Sequence, residues 1–302
     1  MIKRGVTELK EKLNTERDLK IAIIDNNLMG FLVNLRQETD ILPWFDIYDI
    51  ILIPKWAEEE INDGQTRIDC LNHIATRKGV YVIDEKEYEE LSGYKDVELM
   101  LLFQASTFLM GDINGKIKKY LNQSEEVTDE EAEDGITEYN KFIEELYNNI
   151  LKNKEDNPEP GKRIKRKNAG EISICVLSYL LGYYYDGIEN ITIFTFDKDC
   201  YDYIKRAKEI LYDKDDISKS PNRFKNRECK AITFKSSDLI YNELYDLNKE
   251  ECIEIITKIR KNPRNIKYTQ KKSDGSIEEN RKLMGTDEFI EFIKDKDKHL
   301  IF

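Results

Sequence analysis

Ile191-Thr192-Ile193-Phe194-Thr195-Phe196-Asp197-Lys198-Asp199 is a short β-branched and aromatic run that stops on two acids. Such a run predicts a buried parallel strand whose carboxyl end opens onto a site. A second run, Ile21-Ala22-Ile23-Ile24-Asp25, ends the same way. In an open parallel sheet, ligands and chemistry collect beyond the carboxyl ends of the strands. Asp25, Asp197 and Asp199 are therefore expected in one cleft, although they are far apart in sequence. Acids gathered in this way repel one another unless a cation sits between them, and hard divalent ions such as Mg2+ or Mn2+ are held by oxygen sets of this kind. One such Asp alone reads equally well as the cap of the helix after its strand. The set reads as a metal-dependent acidic site.

Upstream, Val6, Leu9 and Leu13 fall at helical spacing and predict an amphipathic lead-in helix within residues 3–19. Residues 26–35 predict a helix that sets Asn26 and Asn27 beside the site. The apolar run from Ile47 to Ile53 is closed by Pro54 and followed by Lys55-Trp56-Ala57-Glu58-Glu59-Glu60-Ile61. A strand, a proline and an acid-rich helix again put a carboxylate near a strand end. Successive glutamates on a helix point in different directions. Glu60, next to Ile61, is the first choice to face the cleft and Glu59 the second. On its own a glutamate run is a solvated face.

Gly79 to Asp84 predicts a third strand, and residues 95–109 and 136–151 carry helical periodicity on either side of an acidic loop. Together they predict a helical insertion at about 95–160. Lys162, Arg163, Lys165, Arg166 and Lys167 then form a basic strip. By charge alone it is a phosphate guide or a solvated linker; its position before the next motif favours the guide. That motif, Asn168 to Gly182, is a nearly all-apolar helix with one carboxylate, Glu171, in its first turn. A first-turn acid suits the helix dipole, yet this helix feeds the 191–197 strand and brings Glu171 toward the same sheet edge. A basic loop with Arg223, Lys225 and Arg227 precedes a closing strand, Ala231 to Phe234. Residues 1–245 thus read as one α/β domain, doubly wound around a mostly parallel sheet. Residues 246–302 read as a C-terminal extension.

Of the 302 residues, 40% are hydrophobic and 36% charged, enough for a sizeable core under a highly charged surface. A net charge of -12 argues against a general nucleic-acid coat but not against a nuclease with local basic strips. Five cysteines without a Cys-x-x-Cys pair predict reduced thiols of a cytoplasmic protein. Two histidines, His73 and His299, leave little material for a zinc site or a His-based nucleophile relay. No segment approaches the length of a membrane span.

In order and content, Ile24-Asp25, Pro54 with Glu60, Gly170-Glu171-Ile172, Phe194-Thr195-Phe196-Asp197-Lys198-Asp199 and Ile232 to Asp238 resemble the PIN-domain nucleases over about residues 20–245. That resemblance implies hydrolysis of phosphodiesters, RNA before DNA, with Mg2+ or Mn2+ on Asp25, Glu171, Asp197 and Asp199. Glu60 would orient water or complete the outer shell, and the two basic segments would guide the backbone. A protein partner or inhibitor and a homo-oligomer remain open. Two alternatives compete. One is a non-catalytic PIN-like scaffold. The other is a phosphatase of the haloacid dehalogenase type, whose pattern wants an acid where this chain has Asn27.

Overall fold

The structure is a computed structural model describing residues 1–123, 137–152, 166–213, 216–217, 220–221, 223–272 and 274–302. Its centre is a six-stranded, all-parallel sheet built from β1 (Ile2–Arg4), β2 (Leu19–Ile24), β3 (Ile50–Pro54), β4 (Val80–Ile83), β5 (Ile188–Phe194) and β8 (Ala231–Lys235). The strand order is β1-β4-β3-β2-β5-β8. Two short paired segments, β6 (Asp216–Ile217) and β7 (Ser220–Pro221), lie outside it. Helices flank the sheet, so β3 and β4 are buried at every position, and β5 over its last four residues. Continuous Ile/Val/Leu runs rather than alternating ones are what such double-sided cover demands.

Chain order creates the site. From β2 the chain builds outward through β3 and β4 on one side, then returns to place β5 on the other side of β2. The order of strands therefore reverses between β2 and β5, the crevice where open α/β sheets bind ligands. Ile23 is paired with Ile193 and Ile24 with Phe194, so both strands end level.

The first helices are α1 (Thr7–Thr15), α2 (Asn26–Leu35), α3 (Pro43–Asp46), α4 (Lys55–Ile61), α5 (Gln65–Arg77) and α6 (Tyr88–Ser92). Of the expected insertion, α7 (Asp96–Ser106) is a core helix, buried at every position but Glu98 and packed against its later neighbours α10 and α11. The helices α8 (Gly111–Gln123) and α9 (Glu138–Glu145) stack outside it. Next come α10 (Ala169–Tyr184) and α11 (Lys198–Asp213). The apolar body of α10 packs on β3 and β5, as its composition requires.

The C-terminal region carries α12 (Ser237–Leu247) and α13 (Lys249–Ile259), a β9 (Arg264–Lys271) and β10 (Ile277–Met284) hairpin, α14 (Thr286–Ile293) and β11 (Lys298–Leu300). The hairpin turns at Gly275, whose φ of +84° suits a residue without a Cβ. β11 adds to β9 on its other side. Cys252, Ile255, Ile256 and Phe289 belong to the same continuous core as β2 and β5. Arg260, fully buried, ties α12 to the end of β10 by reaching Asp238 through Nε at 3.4 Å and the Met284 carbonyl at 3.1 Å.

Candidate acidic active site

Asp25 follows the last residue of β2, and its N–H continues the ladder by donating to the Phe194 carbonyl at 2.9 Å. It stands at the N-cap of α2 but makes no side-chain capping bond. Instead its carboxylate accepts a hydrogen bond from the Thr195 hydroxyl at 2.7 Å. The same hydroxyl oxygen accepts from the Asp197 N–H at 3.0 Å. Thr195 thus fastens Asp25 and Asp197 across the reversal point. Asp197 also caps, because its Oδ1 accepts from the Asp199 N–H at 2.8 Å. Its Oδ2 accepts from the Asn27 amide at 3.3 Å.

The three glutamates of α4 diverge. Glu58 turns away to pair with Arg4, and Glu59 accepts from the Tyr147 hydroxyl. Glu60 accepts from the Asn26 amide at 3.2 Å, and Asn26 is in turn held by Arg67 at 2.5 Å. Glu60 also lies against the first turn of α10, with Oε1 3.7 Å from where a Cβ on Gly170 would stand. The next residue there is Glu171, half-buried. Asp199 lies at the outer edge, exposed, and its charge bears on Tyr203.

The electrostatics tie four acids together. Burial pushes the Asp25 carboxyl up to about 7; Thr195 pulls it partly back, and Glu60 and Asp197 raise it further. Burial also pushes Glu171 up to about 8, with Asp25, Glu60 and Asp197 adding to the shift. Acids that raise one another share a confined space. Among the described residues, however, no three Asp, Glu, His or Cys side chains are close enough together to hold an ion. The donor chemistry still fits a hard divalent cation: it is all oxygen and excess negative charge.

The basic residues are placed differently. Lys162, Arg163 and Lys165 lie outside the described residues. Arg166 stacks on the Tyr147 ring at 4.4 Å and donates to the Tyr147 carbonyl at 2.6 Å. Lys167, Arg223 and Lys225 are exposed. Arg227 is ion-paired with Glu98 at 3.1 Å and packed over Tyr183, Tyr184 and Phe224.

Sequence reasoning missed Thr195, which looks like any strand threonine, and Arg67, which acts only through Asn26. It also missed Glu85, a completely buried acid after β4. No known protein family matches this chain, and no curated protein is similar to it. None of the described helices is long and apolar enough to cross a membrane.

Proposed function

We propose that the protein is a metal-dependent nuclease, most simply an endoribonuclease, whose centre is the acidic crevice between β2 and β5. One observation carries the reading: Asp25 and Asp197 are fastened together by Thr195 at the strand-order reversal, with Glu60 and Glu171 acting on the same space. Asp25, Glu171 and Asp197 would hold Mg2+ or Mn2+, with Asp199 contributing from the rim. The bound cation would lower the pKa of a water and neutralise charge growing on the phosphate. The chain's own groups do the positioning. Thr195 fixes one oxygen of Asp25, Asn27 fixes Asp197, and the Arg67–Asn26 pair holds Glu60 where it can orient water. No side-chain nucleophile is required. The five free cysteines fit a cytoplasmic setting.

The test incubates the purified chain with single-stranded and duplex RNA and DNA in Mg2+, Mn2+ or EDTA. Cleavage that EDTA and Asp197→Asn both abolish is the expected result; no cleavage of any substrate with either metal rejects the reading. The second reading is a non-catalytic PIN-like binding protein. Binding of nucleic acid without metal-dependent cleavage would select it.

A further inference from the structure

Beside Asp197 a cavity of about 470 Å3 opens between the central sheet and the C-terminal region. Asn27 and Asp197 line one end, Phe196 and Lys198 one wall, and Arg264 and Asn265 of β9 the other. Its size suits a nucleotide-sized ligand. Three features point to the ligand's chemistry. Lys198 lines the cavity, and its ammonium, itself buried, has no hydrogen-bond partner among the described residues, which leaves an unsatisfied donor behind the cavity wall. Arg264 donates to Ser237 Oγ at 2.6 Å through one nitrogen and stands 5.5 Å from the Phe196 ring. That ring is 38% exposed, although it is a large apolar group. Of the two acids that line the cavity, Asp197 and Asp238, the second is paired with Arg260 and so opposes an anion less than its charge suggests.

We propose that this cavity is a nucleotide subsite next to the acidic centre, taking a phosphate on Lys198 and Arg264 and stacking the attached base on Phe196. Two cations beside a partly exposed aromatic ring are a combination that binds single strands without reading sequence. The C-terminal region would then be part of the substrate groove, since Arg264 and Asn265 form one of its walls. The subsite rests on the nuclease reading for its substrate class, but its test does not need cleavage.

A fluorescently labelled single-stranded RNA decamer is titrated with the full chain in EDTA, followed by anisotropy. Phe196→Ala and Lys198→Ala should each weaken binding at least about fivefold, the lower end of what one base stack is worth, while Phe196→Tyr, which keeps a ring, restores it. Adenosine monophosphate should displace the RNA at concentrations where inorganic phosphate does not. Unchanged affinity in both alanine variants, or equal displacement by phosphate alone, overturns the subsite even if the wild type cleaves. Binding that depends on both residues, with no metal-dependent cleavage, upholds the subsite and rejects the nuclease reading.

Discussion

Two buried acidic centres lie past the carboxyl ends of β4 and β2, with β3 between them, and they are built on opposite plans. Glu85, after β4, is fully buried; its Oε1 accepts from the Trp56 N–H at 3.0 Å and from the Ser173 hydroxyl at 2.6 Å. Ser173 in turn shares a 2.7 Å hydrogen bond with Tyr88. Burial dominates there, pushing Glu85 up to about 8; Ser173 and Trp56 oppose it, and Asp84 is the one acid that adds to it, as the smallest cause. Asp25 and Glu171 are raised as well, by burial together with neighbouring acids: Glu60 and Asp197 act on both, and Asp25 acts on Glu171. A raised carboxyl alone therefore does not mark a functional site. An acid surrounded by neutral donors is a structural group that can keep its proton, whereas acids facing acids need something from outside to be at rest.

Breaking the contrast gives tests. Asp197→Asn keeps a capping acceptor for the Asp199 N–H but removes one charge, so the fold should be as stable as before without metal, or more so. Cleavage should fall on the order of a thousandfold, the scale of several kcal/mol of lost charge stabilisation. Melting curves and single-turnover rates check both; loss of folding along with activity would make Asp197 chiefly a cap.

Thr195→Ala leaves every acid in place and removes only what fastens two of them. Activity should drop about 10- to 100-fold, in the range of losing a group that orients a ligand, and Thr195→Ser should recover most of it. If the alanine variant cuts like wild type, the bridge between Asp25 and Asp197 has no functional role.

Glu85→Gln should leave cleavage unchanged and alter stability against pH instead. A carboxyl raised in the fold keeps a proton that the unfolded chain gives up above about 4.3. Stability from this group therefore falls as pH rises from there to about 8, and the variant, which cannot ionise, should flatten that slope by at most about 1.4 kcal/mol per pH unit. Denaturant melts at several pH values read the slope. A parallel pH dependence in both proteins would show that Glu85 is not the group responsible.

Much of the sheet was legible because its central strands are short β-branched runs with abrupt ends: β2, β3, β4, β5 and β8 all lie within or beside such runs. β1 was not, since Ile2-Lys3-Arg4 is an edge strand with one apolar residue and is recognised only by its pairing with β4. α7 read as part of an insertion because helical periodicity cannot say what a helix packs against; its burial on all faces comes from α10 and α11, far along the chain. In the C-terminal region, basic residues masked β9, although Ile266 and Tyr268 alternate inward at strand spacing. At the site, strand-end acids were visible one by one. The Thr195 bridge was not, because it exists only once two distant strands lie side by side. Divergence of Glu58, Glu59 and Glu60 likewise depends on Arg4, Tyr147 and Asn26, partners from three other parts of the chain.

Strand order also sets a timetable for synthesis. β2 is central in the sheet, yet its neighbour β5 lies about 160 residues downstream, which at roughly 5–20 residues per second means on the order of 10–30 seconds between the two leaving the ribosome. Throughout that interval one edge of a strand that is apolar but for Lys20 lacks its partner, which makes the nascent chain a natural client for chaperones. The same delay keeps Asp25 apart from Asp197 until the sheet closes. A ribosome-bound fragment ending before β5 should therefore neither cut nor bind nucleic acid at this crevice, which stays incomplete until β5 has left the ribosome.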